Sequence, residues 1–199
     1  FKKIAQGAMF LPNFISWVVV GAIAYNLLSY DFGFINSLLA RLGLPKWNVY
    51  TDASYWPGIF VFLSAWKHVG YGSIVYLAAI MGISAEIYES AALDGANEWQ
   101  KIRYITLPGI MPTFIVLLIL AIGNIFRGNF DMFYQLVGTN GLLYNSTDVI
   151  DTYVFRSLLT SYEFGMSSAI GLYQSVLCSV TLIVTNAVIR RISPENALY

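Results

Sequence analysis

Long stretches of apolar residues divide this sequence and predict its main helices. Three of them contain no charged residue and lie between these pairs: Lys3 and Asp31, Arg103 and Arg127, Glu163 and Arg190. The fourth, residues 53–85, is interrupted only by Lys67 and His68. A membrane-spanning helix needs about 20 apolar residues at about 1.5 Å each, because unpaired backbone groups are costly in hydrocarbon. All four stretches meet this length.

These stretches predict an all-α protein, a polytopic transmembrane helix bundle with about four spans in a single domain, residues 1–199. The predicted spans lie near residues 10–28, 57–81, 109–126 and 165–189. The alternative is a soluble protein with a core of buried helices. Four such windows in one domain would leave too little polar chain to cover them.

Composition supports the membrane interpretation. Of the 199 residues, 57% are hydrophobic and 11% are charged, whereas a soluble domain carries about 25% charged residues. Basic and acidic residues number 11 each, so no net charge indicates a nucleic-acid partner. A single cysteine, Cys178, excludes an internal disulfide, and a single histidine leaves no Cys/His cluster for zinc.

The basic residues predict the orientation in the membrane. Four spans place both chain ends on one side, together with the loop between the second and third spans. The basic residues on that side are Lys2, Lys3, Lys101, Arg103, Arg190 and Arg191. Those on the other side are Arg41, Lys46, Arg127 and Arg156. The side richer in Lys and Arg is expected to be cytoplasmic.

The first outer segment predicts a short amphipathic helix. Its apolar residues recur at helical spacing: Ile35, Leu38, Leu39 and Leu42. Gly43 is suited to a left-handed cap and Pro45 blocks continuation. We expect this helix to lie on the membrane surface.

The loop between the second and third spans, residues 84–108, predicts two short helices. Ser84 is suited to cap the first helix, and Gly95 to end it with a positive φ. The segment Asn97–Gln100 has the spacing of a capping box for the second helix. Leu107 precedes a proline and is therefore expected to leave the helical region and end that helix.

This loop combines apolar and acidic groups, which suits docking into a groove on a partner protein. The residues alone equally allow a surface helix that rests on lipid headgroups. Glu86 and Glu89, early in the first helix, argue against a surface of anionic lipid.

The loop resembles the EAA loop of ABC-importer permeases, whose pattern is E-A-A, three residues, G, nine residues, I-x-L-P. The matching positions are Glu89, Ser90, Ala91, Gly95, Ile105, Leu107 and Pro108. Asp94, Gly95 and Ala96 also match a common D-G-A extension. Ser90 stands where the pattern has its first alanine, which replaces one small residue by another.

Other stretches resemble the LplB-like branch of these permeases, which serves importers of oligosaccharides and polysaccharides. They are residues 1–3, 11–19, 66–67, 74–80, 150–154 and 195–199. The resemblance implies the type I ABC-importer permease fold and a carbohydrate substrate. Members have about six spans, so we expect one or two spans to be missing at the N-terminus.

The resemblance also implies partners. The sequence contains no G-x-x-x-x-G-K-[ST] pattern, so ATP and Mg²⁺ are expected on separate ATPase subunits. The chain itself is then not an enzyme and binds no cofactor or metal. A second permease subunit and an extracytoplasmic solute-binding protein complete the implied assembly, in the bacterial cytoplasmic (inner) membrane.

In that assembly the EAA loop serves as the coupling loop, which docks on the ATPase. We expect Glu89 to contact a basic group of the ATPase, and Ala91 and Gly95 to allow close approach. Closure of the ATPase pair would displace the loop and swing the spans between inward-open and outward-open states.

Lys67 lies about ten residues into its predicted span, about 15 Å deep. A charge at that depth is expensive and faces the protein interior or a wet cavity. It either lines the translocation path or pairs with a carboxylate or with helix carbonyls of the missing spans or of the partner permease. The candidate residues for the path are Trp66, Lys67, His68, Tyr71 and Asn124.

Three other functions remain open on the residues alone. The permease could carry an amino acid, a peptide or a phosphate, although an anion site predicts more basic residues within the spans than Lys67. A non-transporting membrane subunit would not need the EAA spacing. An integral membrane enzyme should show paired carboxylates or clustered histidines at membrane depth, and the sequence shows neither.

Overall fold

The computed structural model describes residues 2–162 and 164–196, and within them the side chains of residues 7–162 and 164–195. Three parts of the chain lie outside the described residues: Phe1, Glu163 and residues 197–199. Parts of the predicted charge pattern and of the family resemblance fall on them.

Helices account for most of the described chain, and no strand occurs among the described residues. The helices are α1 (Lys2–Phe14), α2 (Trp17–Leu28), α3 (Phe34–Arg41), α4 (Trp56–Met81), α5 (Ala85–Leu93), α6 (Glu98–Lys101), α7 (Leu107–Gly123), α8 (Phe130–Val137), α9 (Tyr144–Thr147), α10 (Ile150–Ser161) and α11 (Phe164–Ile192). The prediction of an all-α fold is confirmed.

Two helices are long and apolar enough to cross a membrane. One runs continuously over Glu98–Gly123, with a mean hydropathy of 2.4, and the other is α11, with a mean hydropathy of 1.7. Two bent pairs of helices pass the same test if each pair counts as one span, which gives up to four spans among the described residues. Many large apolar side chains on these helices are exposed, as on a surface that faces lipid.

The first predicted span, residues 10–28, is divided. The segments Gly7–Phe14 and Trp17–Leu28 meet at 101°, because Ser16 has an extended backbone (ψ 154°) and starts a new helix. The Ser16 hydroxyl accepts a hydrogen bond from the Val19 N–H at 3.4 Å. The second and fourth predicted spans lie within α4 and α11. The third, residues 109–126, lies within Glu98–Gly123 except for its last three residues.

The chain forms two compact units. The first comprises Phe1–Gly70 and Arg127–Tyr173. In its core, α2 packs against α8 so closely that a Cβ on Gly21 would lie 2.3 Å from the Gln135 carbonyl oxygen. Trp56 is fully buried there and donates its indole N–H to the Val49 carbonyl at 2.8 Å. The buried core residues are Trp17, Val20, Ala24, Trp56, Phe60, Met132, Leu136, Val137 and Leu143.

The short helix predicted in the first outer segment is confirmed as α3. Gly43 has φ +70°, as the prediction of a left-handed cap requires. The Leu44 N–H bonds to the Leu39 carbonyl at 2.9 Å, and the Gly43 N–H to the Ala40 carbonyl at 3.2 Å. These two bonds form a Schellman motif, which satisfies the last carbonyls of the helix.

An ion pair joins the loop before α10 to that helix. Arg156 approaches Asp148 to 2.7 Å. Burial acts to raise the pKa of Asp148, but hydrogen bonds from Arg156 and Thr152 and the charge of Arg156 together outweigh it and lower that pKa. The pair therefore stabilises the fold above the ordinary carboxyl pKa and is lost as the pH falls through the lowered value.

The second unit comprises Tyr71–Phe126 and Gln174–Tyr199. In it α7 packs against α11, where a Cβ on Gly123 would lie 2.9 Å from Leu182 Cδ1. Gln174 donates to the Phe126 carbonyl at 2.8 Å, just beyond the end of α7.

The prediction that Leu107 ends the second helix of the loop is wrong. Leu107 is helical (φ −61°, ψ −49°), and the chain continues from α6 into α7 through a π-helical turn, Ile102–Thr106. In this turn the Leu107 N–H bonds to the Ile102 carbonyl, five residues back. Hydrogen bonds to the carbonyl five residues back replace the usual α-helical pattern in this turn. The helix therefore continues through Pro108, which has no N–H to donate.

Candidate coupling loop

The candidate coupling loop, residues 84–108, lies in the second unit and begins with α5. The Ser84 hydroxyl accepts a hydrogen bond from the Glu86 N–H at 3.3 Å, which confirms the predicted cap. Glu86 lies in the first turn, where the helix dipole favours negative charge. Glu89 is exposed on the same helix.

Gly95 ends α5 as the sequence predicts, with φ +82°. The Ala96 N–H bonds to the Ala91 carbonyl at 2.9 Å, and the Gly95 N–H to the Ala92 carbonyl at 3.1 Å. These bonds form a second Schellman motif. A Cβ on Gly95 would meet no atom of the chain within 4 Å, so packing within this unit does not require a glycine there.

The second arm of the loop starts with the predicted capping box. The Asn97 side chain accepts from the Gln100 N–H at 2.9 Å, and the Gln100 side chain accepts from the Asn97 N–H at 2.8 Å. Lys101 and Glu98 form an ion pair at 2.8 Å, one turn apart. Both turns of the loop are thus fixed by local hydrogen bonds.

A side-chain contact that the sequence does not reveal joins the two arms. The Tyr88 hydroxyl lies 2.9 Å from Thr106 Oγ1, across 18 residues of chain. Ile83 and Gly109 form a second contact, since a Cβ on Gly109 would lie 2.5 Å from Ile83 Cδ1. Tyr88 lies next to the motif residue Glu89, and Thr106 occupies the unspecified position of I-x-L-P. These positions in the motif do not predict that the two side chains form a hydrogen bond.

The motif residues form an accessible surface, and none of residues 84–108 is buried. The exposed motif residues are Glu89, Ser90, Asp94, Gly95, Leu107 and Pro108. The half-buried ones are Ala91, Ala96 and Ile105. Large apolar side chains lie among them with little cover, above all Leu93, which is 90% exposed, and Trp99, which is 69% exposed. Apolar groups beside carboxylates suit contact with another protein.

The candidate path residues of the first unit lie on α4. Lys67 is buried, and its ammonium group donates to the carbonyls of Pro12, at 3.2 Å, Asn13, at 3.1 Å, and Ile15. Its partners are therefore carbonyls of the same chain at the break between α1 and α2, and not groups of missing spans or of a partner permease as one alternative predicted. Its nitrogen also lies 5.4 Å from the centre of the Trp17 ring.

The neighbours of Lys67 are more accessible. Trp66 is 37% exposed and lines an apolar groove between α2 and α4, with Val20, Ala24 and Leu63. His68 is exposed, and its Nδ1 lies 2.8 Å from the Ser64 carbonyl oxygen.

The other two candidates belong to the second unit. Tyr71 is 53% exposed on α4. Asn124 follows the end of α7, is exposed, and donates to the Leu120 carbonyl at 2.9 Å. Among the described residues, no group of three or more His, Cys, Asp or Glu side chains is arranged to hold a metal ion.

Comparison with protein families gives a match over almost the whole chain. The matching family is described as "Binding-protein-dependent transport system inner membrane component", and it covers residues 1–194. This confirms the resemblance that the loop motif indicates.

Two curated proteins of Bacillus subtilis (strain 168) are similar to 98% of this chain. Protein LplB is 34% identical over 196 residues, and the polygalacturonan/rhamnogalacturonan transport system permease protein YteP is 31% identical over 196 residues. The matches cover 61% and 60% of those proteins. The chain therefore spans about three fifths of the length of these relatives.

Among solved structures, a chain of a bacterial alginate ABC transporter has the same fold. That transporter was crystallised in complex with an alginate pentasaccharide-bound periplasmic protein. The TM-score is 0.87 at 37% sequence identity, over 96% of this chain and 66% of the other.

Proposed function

Since the chain belongs to the family of binding-protein-dependent transport system inner membrane components, we propose that it is the permease subunit of an ABC importer for a carbohydrate. The observation that carries this proposal is the coupling loop. It combines the EAA spacing with two locally fixed turns and an accessible, partly apolar surface.

The similar proteins support a carbohydrate as the substrate. One is a permease of a polygalacturonan/rhamnogalacturonan transport system, and another belongs to an alginate transporter. We propose an oligosaccharide as the solute that crosses the bacterial cytoplasmic membrane through this multi-pass subunit.

The assembly that we propose contains three further kinds of component. Two ATPase subunits bind ATP and Mg²⁺ on the cytoplasmic side, a second permease subunit completes the pathway, and an extracytoplasmic protein delivers the oligosaccharide. The chain itself catalyses no reaction and carries no cofactor of its own.

In this assembly, residues 84–108 dock on the ATPase. Glu89 presents a carboxylate to a basic group of the ATPase, which gives a charge-assisted contact. Ala91 and Gly95 carry little or no side chain, and the open space around Gly95 leaves room for a partner surface. Asp94, Ala96 and the I-x-L-P residues shape the turns around this contact.

For the translocation path, we propose that Trp66, His68, Tyr71 and Asn124 present polar edges and aromatic faces to the solute. Aromatic faces and hydrogen-bonding groups both suit a sugar, which has apolar faces and hydroxyl groups. Lys67 supports this path rather than lining it, because its ammonium group is buried against three carbonyls.

Uptake by the intact transporter in proteoliposomes tests this proposal. With ATP and Mg²⁺ inside the vesicles and the solute-binding protein outside, we expect uptake of labelled galacturonate or alginate oligosaccharides. Phosphate, an amino acid and a dipeptide serve as competing solutes and should not reduce that uptake. If one of these solutes reduced the uptake, that solute would replace the carbohydrate as the proposed substrate. Uptake without ATP would contradict the ABC mechanism.

A further inference from the structure

The hydrogen bond between Tyr88 and Thr106, here called the brace, joins α5 to the long helix Glu98–Gly123, whose first residues form the second arm of the coupling loop. Both side chains are half-buried, and their oxygens lie 2.9 Å apart. The Thr106 hydroxyl also donates to the Lys101 carbonyl at 3.4 Å. Each hydroxyl can donate and accept, so either one can be the donor in the brace.

The brace acts at an unusual point of the helix. Thr106 is the last residue of the π-helical turn Ile102–Thr106. A π turn is a local defect that can change register, and such turns occur often at functional sites. The hydrogen bond between Tyr88 and Thr106 therefore restrains the helix at the turn whose hydrogen-bond register can change.

A packing contact reinforces the brace on the other side of Pro108. Ile83 lies just before α5 and fills the space beside Gly109, where a Cβ would lie 2.5 Å from its Cδ1. The two contacts hold α5 at both sides of the start of α7. A displacement of α5 should then move the apolar part of the long helix with it. Without these contacts, a change of conformation in the π turn would absorb the displacement.

We propose that Tyr88 and Thr106 are positioning residues that transmit movement of α5 to the helix Glu98–Gly123. This inference rests on the proposed function, in which an ATPase displaces the loop. Neither residue touches the solute or the nucleotide, and both act through the helices that they join.

Distances between two spin labels test whether α5 and the long helix move as one body. The labels are placed on cysteines at the exposed positions Ser90 and Phe114 in the intact transporter, with Cys178→Ser as background. In the wild type we expect one narrow distance distribution, unchanged by ATP and Mg²⁺. In Tyr88→Phe and in Thr106→Val we expect this distribution to broaden, and its mean to shift when ATP is added.

Transport per ATP hydrolysed is the second readout, with a mixture of labelled galacturonate and alginate oligosaccharides as the probe. Loss of one hydrogen bond should lower this ratio about two- to tenfold in either variant. The double variant should be no worse than the single ones, because all three remove the same bond. Co-purification of the ATPase should stay at the wild-type level.

Two control variants separate this role from general damage. Thr106→Ser keeps the hydroxyl and should retain the narrow distribution and the wild-type ratio. Tyr173→Phe removes a hydroxyl from a ring on α11 that lies outside the loop and is 60% exposed, and should change nothing. Wild-type distributions in both Tyr88→Phe and Thr106→Val, or a Thr106→Ser variant as impaired as Thr106→Val, would overturn the inference.

The two proposals fail in different ways. If the wild type neither binds an ATPase nor takes up the oligosaccharides, the proposed function fails, while the spin-label distances still report whether the brace holds the two helices together. If transport proceeds normally and the distances in the variants equal those of the wild type, only the brace is refuted.

Discussion

Replacing Gly95 by aspartate is expected to lower ATP-driven uptake about 30-fold, the effect of losing about 2 kcal/mol at a protein–protein contact. The substitution adds a side chain and a charge at the turn where the ATPase is expected to approach most closely. The new side chain would occupy the open space around Gly95 that the ATPase surface is expected to fill. Uptake in proteoliposomes and co-purification of the ATPase measure the effect.

Gly43 provides a matched control for this substitution. It has φ +70°, against +82° at Gly95, and both lie in open space at the end of a helix with the same Schellman bonds. Gly43→Asp therefore carries the same local strain, about 1–2 kcal/mol, but lies in an outer segment. We expect uptake to stay within about twofold of the wild type. Equal losses in the two variants would show that strain, and not docking, explains the effect.

Replacing Lys67 by methionine is expected to destabilise the transporter. The change keeps the length of the side chain but leaves the carbonyls of Pro12, Asn13 and Ile15 without their shared donor. Loss of these bonds in a buried site should cost about 3 kcal/mol. For a chain of this size, that corresponds to a fall in Tm of about 6–12 °C, measured by thermal unfolding of the purified transporter in detergent.

Lys46→Met serves as the control. Lys46 is exposed and donates to one carbonyl, that of Tyr30, at 3.4 Å. Its loss should lower Tm by no more than about 2 °C. If Lys67→Met left Tm unchanged but abolished uptake, Lys67 would act on the solute, and the supporting role at the break between α1 and α2 would be wrong.

The turns of the coupling loop could be predicted because their determinants are local. Ser84 and Asn97 each bond to a backbone N–H two or three residues ahead, and Gly95 adopts the positive φ that only its own lack of a Cβ makes inexpensive. The same holds for Gly43 at the end of α3. In each case the residue type and its neighbours are sufficient to define the geometry.

The features that escaped prediction depend on distant residues or on a choice of register. The break between α1 and α2 is held by Lys67, which is 52 to 55 residues further along the chain. The brace joins residues 18 positions apart. The rule that a residue before proline leaves the helix failed at Leu107, because the π turn accommodates Pro108 without a break.

Cross-linking at the coupling loop tests the central claim most directly. In a Cys178→Ser background, a cysteine replaces the exposed Ser90 of α5, or, as a control, the exposed Ser37 of α3 in the outer segment. The intact assembly is treated with a short thiol–amine cross-linker. The account predicts that the cysteine at position 90 joins an ATPase subunit and that the cysteine at position 37 does not. An ATPase cross-linked as readily at position 37, or not at all at position 90, would contradict it.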